Sequence, residues 1–118
     1  MFEISHQLVY LLALQNIFNL SFDSTFRLKL IENEKYFKKI AECFKIQEFR
    51  GLVLRILYNL SLEEKSKPLF GDTDCIYIIY ELLNNFPEPI IGIELAALTL
   101  NITTQQENAR KLASGKIL

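Results

Sequence analysis

Asn19-Leu20-Ser21 returns as Asn59-Leu60-Ser61 and, in looser form, as Asn101-Ile102-Thr103, at intervals of 40 and then 42 residues. Self-similarity at such a period signals a repeat architecture. An apolar pattern runs into each copy. It reads Leu11, Leu14, Ile17, Leu20 in the first, Leu54, Leu57, Leu60 in the second, and Ile93, Leu95, Leu98, Ile102 in the third. Steps of mostly three and four residues bring side chains to one side of a helix, so each triplet closes an amphipathic helix. The register continues past the triplet. Eleven residues beyond each Asn stands Leu30, Phe70 or Leu112, and seventeen beyond stands Tyr36, Ile76 or Leu118. Fourteen beyond stands Asn33, Thr73 or Gly115, where a turn between helices is expected. Gly, and less readily Asn, accepts the left-handed backbone that such turns often use.

Each unit therefore reads as a short helix, a second helix and a longer third helix. In the first complete unit these are expected over 25–32, 35–44 and 49–61, and in the next over 65–70, 74–86 and 89–103. Pro68 suits the first turn of its helix, where a missing N–H costs little. Pro87 and Pro89 stand between helices and block continuation. Strict alternation of apolar and polar residues is absent apart from an ambiguous run at 75–80, so no strand is expected. Three helices in about 40 residues is the signature of an armadillo repeat, with the two-helix HEAT unit as its nearest relative. The expected fold is all-α, an armadillo-type right-handed α-solenoid with repeats of 40–42 residues. Residues 1–118 form one segment of it. Residues 1–21 supply the third helix of a truncated repeat, 22–61 and 62–103 are complete repeats, and 104–118 begin another. Solenoid units bury their apolar faces on neighbours, and neither end shows a polar cap. The chain is thus expected to be a fragment of a longer array, weakly stable alone.

Composition narrows the function. Half of the residues are hydrophobic and nine are Phe, enough to fill a core and to argue against disorder. The net charge is −1 with mixed signs along the chain, which gives no case for nucleic acid or an anionic membrane. No apolar run approaches the roughly 18 residues of a membrane span. Cys43, Cys75 and the single His6 cannot assemble a zinc site with about four closely spaced ligands. Without a signal peptide, the cysteines read as reduced, buried thiols in a soluble, intracellular protein. There is no phosphate-binding Gly loop, nucleophile elbow or H-E-x-x-H motif. Asp72 and Asp74 read as helix-capping groups. No enzyme activity, cofactor, metal or small-molecule substrate is expected.

Stacked third helices would line one face of a solenoid, and equivalent residues would form rows along it. The candidate protein-binding residues there are Gln15, Asn19, Arg55, Asn59 and Asn101. An amide row can hold an extended peptide by its backbone. It can equally bond neighbouring loops and end its own helices, and the residues favour that structural role. One turn before each Asn come Gln15, Arg55 and Ala97, where the importin-α branch of the armadillo fold carries Trp. The chain has no Trp, which disfavours nuclear localisation signals as ligands. The charges at Lys35, Lys38, Lys39 and at Glu63, Glu64, Lys65, Lys67 read as solvated faces.

Four stretches support a more specific reading: Phe18-Asn19-Leu20-Ser21-Phe22-Asp23; Leu57-Tyr58 with Ser61; Phe70 followed by Thr73-Asp74-Cys75-Ile76; and Ile93-Glu94-Leu95 with Asn101, Asn108 and Gly115. In these the chain resembles the armadillo region of kinesin-associated protein, the non-motor subunit of heterotrimeric kinesin-2. The resemblance spans nearly the whole chain in one register. Tyr77 where the family usually has Pro, Asn33 where it has Gly, and Asn59 where it often has His mark a divergent member. The resemblance implies a noncovalent adaptor that joins kinesin-2 motor tails to cargo, including intraflagellar transport material. It implies a cytoplasmic, microtubule-associated location extending to cilia or flagella. An unrelated armadillo scaffold in signalling, adhesion or nuclear transport is the alternative.

Overall fold

The computed structural model describes residues 4–85 and 92–114. Within them lie eight α-helices: α1 (Ile4–Leu20), α2 (Ser24–Glu32), α3 (Glu34–Cys43), α4 (Arg50–Leu60), α5 (Lys67–Gly71), α6 (Cys75–Asn85), α7 (Ile93–Ile102) and α8 (Gln106–Ser114). Short 3-10 turns at Gln47–Phe49 and Glu64–Ser66 lead into α4 and α5. Among the described residues there is no strand, and no helix is long and apolar enough to cross a membrane. The expected helices appear as α2 to α7, with ends displaced by a few residues. Part of the helix expected over 89–103, and the positions of Gly115 and Leu118, lie outside the described residues.

Helix α4 is the centre of the packing because its apolar residues recur with helical spacing. Val53, Ile56, Leu57 and Leu60 lie in steps of three, one and three, and all are fully buried. This stripe is wide enough to serve two neighbours, and α4 packs against both α1 and α7. Leu98 and Ile102 complete the α7 side of the same core. Helix α3 adds Phe37, Ile40 and Ala41. Phe37 meets Phe70 of α5 edge to face, with ring centroids 5.0 Å apart, the orientation that aromatic quadrupoles favour. Tyr36, seventeen residues past Asn19 in the repeat register, is exposed, and its neighbour Phe37 is buried.

The three triplet helices end alike. The Ser21 N–H donates to Ile17 O, the Ser61 N–H to Leu57 O and the Thr103 N–H to Thr99 O. Each hydroxyl then bonds back to its own last turn: Ser21 to Phe18 O, Ser61 to Tyr58 O, and Thr103 to Thr99 O. The chain next reverses through one tight turn, closed by Asp23 N–H to Leu20 O, Glu63 N–H to Leu60 O and Gln105 N–H to Ile102 O. Carbonyls left over at a helix end are thereby satisfied without a glycine.

The turn between α2 and α3 corrects an expectation. Asn33 has φ −104° and ψ 100°, extended rather than left-handed backbone. It acts as an N-cap, its Oδ1 accepting from the Lys35 N–H at 3.1 Å. Thr73 does the same before α6, where its Oγ1 accepts from the Cys75 N–H at 3.4 Å. Position fourteen past the Asn is a capping position, which explains why Thr serves there. Asp72, read as a cap at a helix start, instead closes α5 as its C-cap, its backbone N–H donating to Pro68 O and Leu69 O. The Asp74 carboxylate makes no capping bond among the described residues. Asp74 instead pairs with Lys45 at 2.7 Å.

Candidate protein-binding face

The buried stripe of α4 fixes what its opposite side presents. At about 100° per residue, positions eight, four and one before each Asn, and three after it, fall opposite that stripe. In α4 and the turn after it these are Gly51, Arg55, Tyr58 and Leu62. Their equivalents are Leu11, Gln15, Phe18 and Phe22 along α1, and Ile93, Ala97, Leu100 and Thr104 along α7. The sequence reading named only the middle row, Gln15 and Arg55. The face is mostly apolar and open: Phe22 is 65% exposed, Leu62 51%, Ile93 84% and Leu100 70%. Phe18 and Phe22 form an edge-to-face pair at 5.1 Å. Arg55 is exposed at the centre. Its guanidinium has no carboxylate partner among the described residues.

The Asn residues lie beside this face and work inward. Asn59 is buried, and its Nδ2 donates to Ser21 Oγ at 2.8 Å. Asn101, half-buried, repeats the bond one unit later, Nδ2 to Ser61 Oγ at 3.0 Å. Each Ser hydroxyl in turn donates a hydrogen bond to the Phe18 or Tyr58 carbonyl, so amide, hydroxyl and carbonyl form a short chain. The amide of one triplet is thus stapled to the hydroxyl of the triplet before it. Asn19 makes no such bond across helices among the described residues. It is exposed, and its Oδ1 accepts from Gln15 Nε2 at 3.4 Å. Of the five candidates, Gln15, Asn19 and Arg55 face solvent, while Asn59 and Asn101 commit a donor to the interior.

A family model described as Kinesin-associated protein (KAP) matches residues 1–118, the whole chain. The chain belongs to the kinesin-associated protein family. No solved structure matches it. Membership places it among proteins named for association with kinesin, the coarse partner class that the sequence resemblance implied.

In this family member a second set of staples runs beside the first, through charges that the sequence reading left in solvent. Arg27 Nε donates to Glu63 Oε2 at 2.9 Å, and its Nη1 to Ser21 O at 3.0 Å. One repeat later Lys67 takes the place of Arg27. Lys67 is buried, and its Nζ donates to Thr104 Oγ1 and Glu64 Oε1, both at 2.6 Å. The period carried this signal, since Arg27 and Lys67 stand equally far past their Asn residues. Lys35, Lys38 and Lys39 are exposed, as expected.

The thiols are free and buried. Burial pushes the Cys75 thiol up to about 12, and burial with the neighbouring Glu42 carboxylate raises Cys43 as well. Neither forms thiolate readily, which is the requirement for nucleophilic or redox work. Tyr10, Leu14, Ile17, Ile40, Cys43 and Ile46 line an open groove of about 560 Å³ between α1 and α3. It is apolar inside, with Lys39, Glu42 and Lys45 also among its lining residues. The site's resources are shape, apolar area and one central cation, which suit recognition of another chain.

Proposed function

We propose that this chain is part of an armadillo-type solenoid with complete repeats over 22–61 and 62–103, and that it acts as a noncovalent adaptor in heterotrimeric kinesin-2. Its third-helix face, including Gln15, Asn19 and Arg55, contributes to holding motor tails or cargo for microtubule-based transport, intraflagellar transport included. It works in the cytoplasm on microtubules and in cilia, and hydrolyses no nucleotide itself. Membership of the kinesin-associated protein family over the whole chain carries this reading. The repeated Asn–Ser staples support a stacked-repeat architecture, and the exposed apolar face supports protein binding.

Co-purification tests it. The intact gene product is expressed with the paired tails of its organism's two kinesin-2 motors, and with a nuclear localisation peptide as control. Retention of the tails and not of the control peptide is the expected result. Loss of the tails, with circular dichroism showing a folded helical protein, removes the kinesin-2 assignment and leaves an armadillo scaffold with another partner.

A further inference from the structure

The third-helix face has a definite charge pattern. Of its twelve positions on α1, α4, α7 and the turns that follow, Arg55 alone is charged. Apolar side chains stand on both sides of it, with Phe22 and Leu62 towards one end and Ile93 and Leu100 on the neighbouring helix. Gly51 lies one turn from Arg55, and a Cβ added there would meet nothing within 4 Å, so the surface beside the cation is unobstructed. The acids on the flanks do not answer Arg55. Glu63 is held by Arg27, and Glu94 lies in the first turn of α7. A partner that covers the apolar residues also takes Arg55 out of water. That step is unfavourable unless the partner brings a negative group to the same spot.

We propose that this face docks a protein segment carrying a carboxylate among apolar side chains, with the carboxylate seated on Arg55. The open strip covers one side of its ligand, which suits a chain segment whose other side stays hydrated. The guanidinium's fork of donors suits a carboxylate in two-point contact. This rests on the protein-binding reading above and adds the chemistry that selects the segment.

The test uses the full chain and two fluorescein-labelled synthetic peptides on one leucine-rich frame, one with a central glutamate and one with a central lysine. Fluorescence anisotropy reads affinity, and the paired kinesin-2 tails are measured in parallel. The glutamate peptide is expected to bind about tenfold more tightly than the lysine peptide, with the gap narrowing as salt rises. Arg55→Glu should reverse the preference, and Arg55→Gln should abolish it, both with an unchanged helical spectrum. Equal binding of the two peptides, an unreversed preference in Arg55→Glu, or tails retained while neither peptide binds would overturn the inference. Charge discrimination without retention of the tails would uphold it and remove the kinesin-2 adaptor instead.

Discussion

At the scale of single residues, the Asn–Leu–Ser triplet is a two-part fastener. Asn donates back to the triplet before it and Ser accepts from the triplet after it, so neither residue alone explains the motif. A buried amide whose acceptor is removed keeps its desolvation cost and loses its bond, so each single change should cost more than the pair is worth. We expect Asn59→Ala and Ser21→Ala each to destabilise by about 1–3 kcal/mol, and the double variant by less than their sum, in urea unfolding. Strict additivity would show that the 2.8 Å bond is not made in solution. Cys75 gives a second residue-scale expectation. Its folded-state value of about 12 lies above the ordinary 9.0, so the native state holds the thiol proton more firmly than the unfolded chain does. Its contribution is fully present below pH 9 and is lost as pH rises towards 12, at up to about 1.4 kcal/mol per pH unit. Cys75→Ala, compared with wild type across that range, should show a shallower loss of stability. Parallel curves would mean that Cys75 is not buried as a thiol.

Between elements, what the sequence revealed and what it concealed follow from range. Helix α4 was legible because Val53, Ile56, Leu57 and Leu60 write their period within three turns. The short α5 was legible through Pro68 and Phe70. The row of Asn residues was legible as a row, with the structural role the favoured reading, but the partner of each amide was not. The partner of Asn59 lies 38 residues away, and periodicity tells which positions are equivalent without telling which side chains touch. For the same reason Glu63 and Lys67 read as surface charge, and the sequence reading did not single out Arg27. The seam between α5 and α8 was hidden entirely. There Asn108 is buried, its Nδ2 donating to Lys67 O at 2.7 Å and Ile102 O at 3.1 Å. Its Oδ1 has no hydrogen-bond partner among the described residues and lies where a Cβ on Gly71 would come within 2.6 Å. Lys111 Nζ donates to Gly71 O across the same seam at 2.8 Å. With Asn108 pinned by two bonds, little room is left for a side chain at Gly71. Gly71→Ala, normally favourable inside a helix, should here destabilise by about 1–3 kcal/mol as overpacking does. A rise in melting temperature would show that α5 and α8 are less closely seated.

For the molecule as a whole, stacking neighbour on neighbour makes stability local. Helix α4 is covered on two sides, by α1 and by α7, and its stripe is buried without remainder. Helix α1 is held on one side only. Leu14 is buried, while Leu8, Val9 and Leu12 are each more than half exposed. Among the described residues its Asn19 makes no cross-helix staple of the kind that fastens Asn59 and Asn101. Removing α1 from the stack therefore uncovers one side of α4, whereas removing α4 exposes the whole core between α1 and α7. In an array held by nearest-neighbour contacts, an edge element opens at a free-energy cost below that of global unfolding. Native-state hydrogen exchange on the 118-residue chain should reveal this difference. Amides in α1 should exchange at least about tenfold faster than those in α4. They should also respond weakly to low denaturant, since a small opening exposes little surface, while α4 amides should follow the full slope of global unfolding. Covering α1 with a bound partner would raise its protection towards that of α4 and leave α4 unchanged. Equal protection and equal denaturant slopes in the two helices would mean that the chain unfolds as a single cooperative block, and the view of a stack with an open edge would have to be given up.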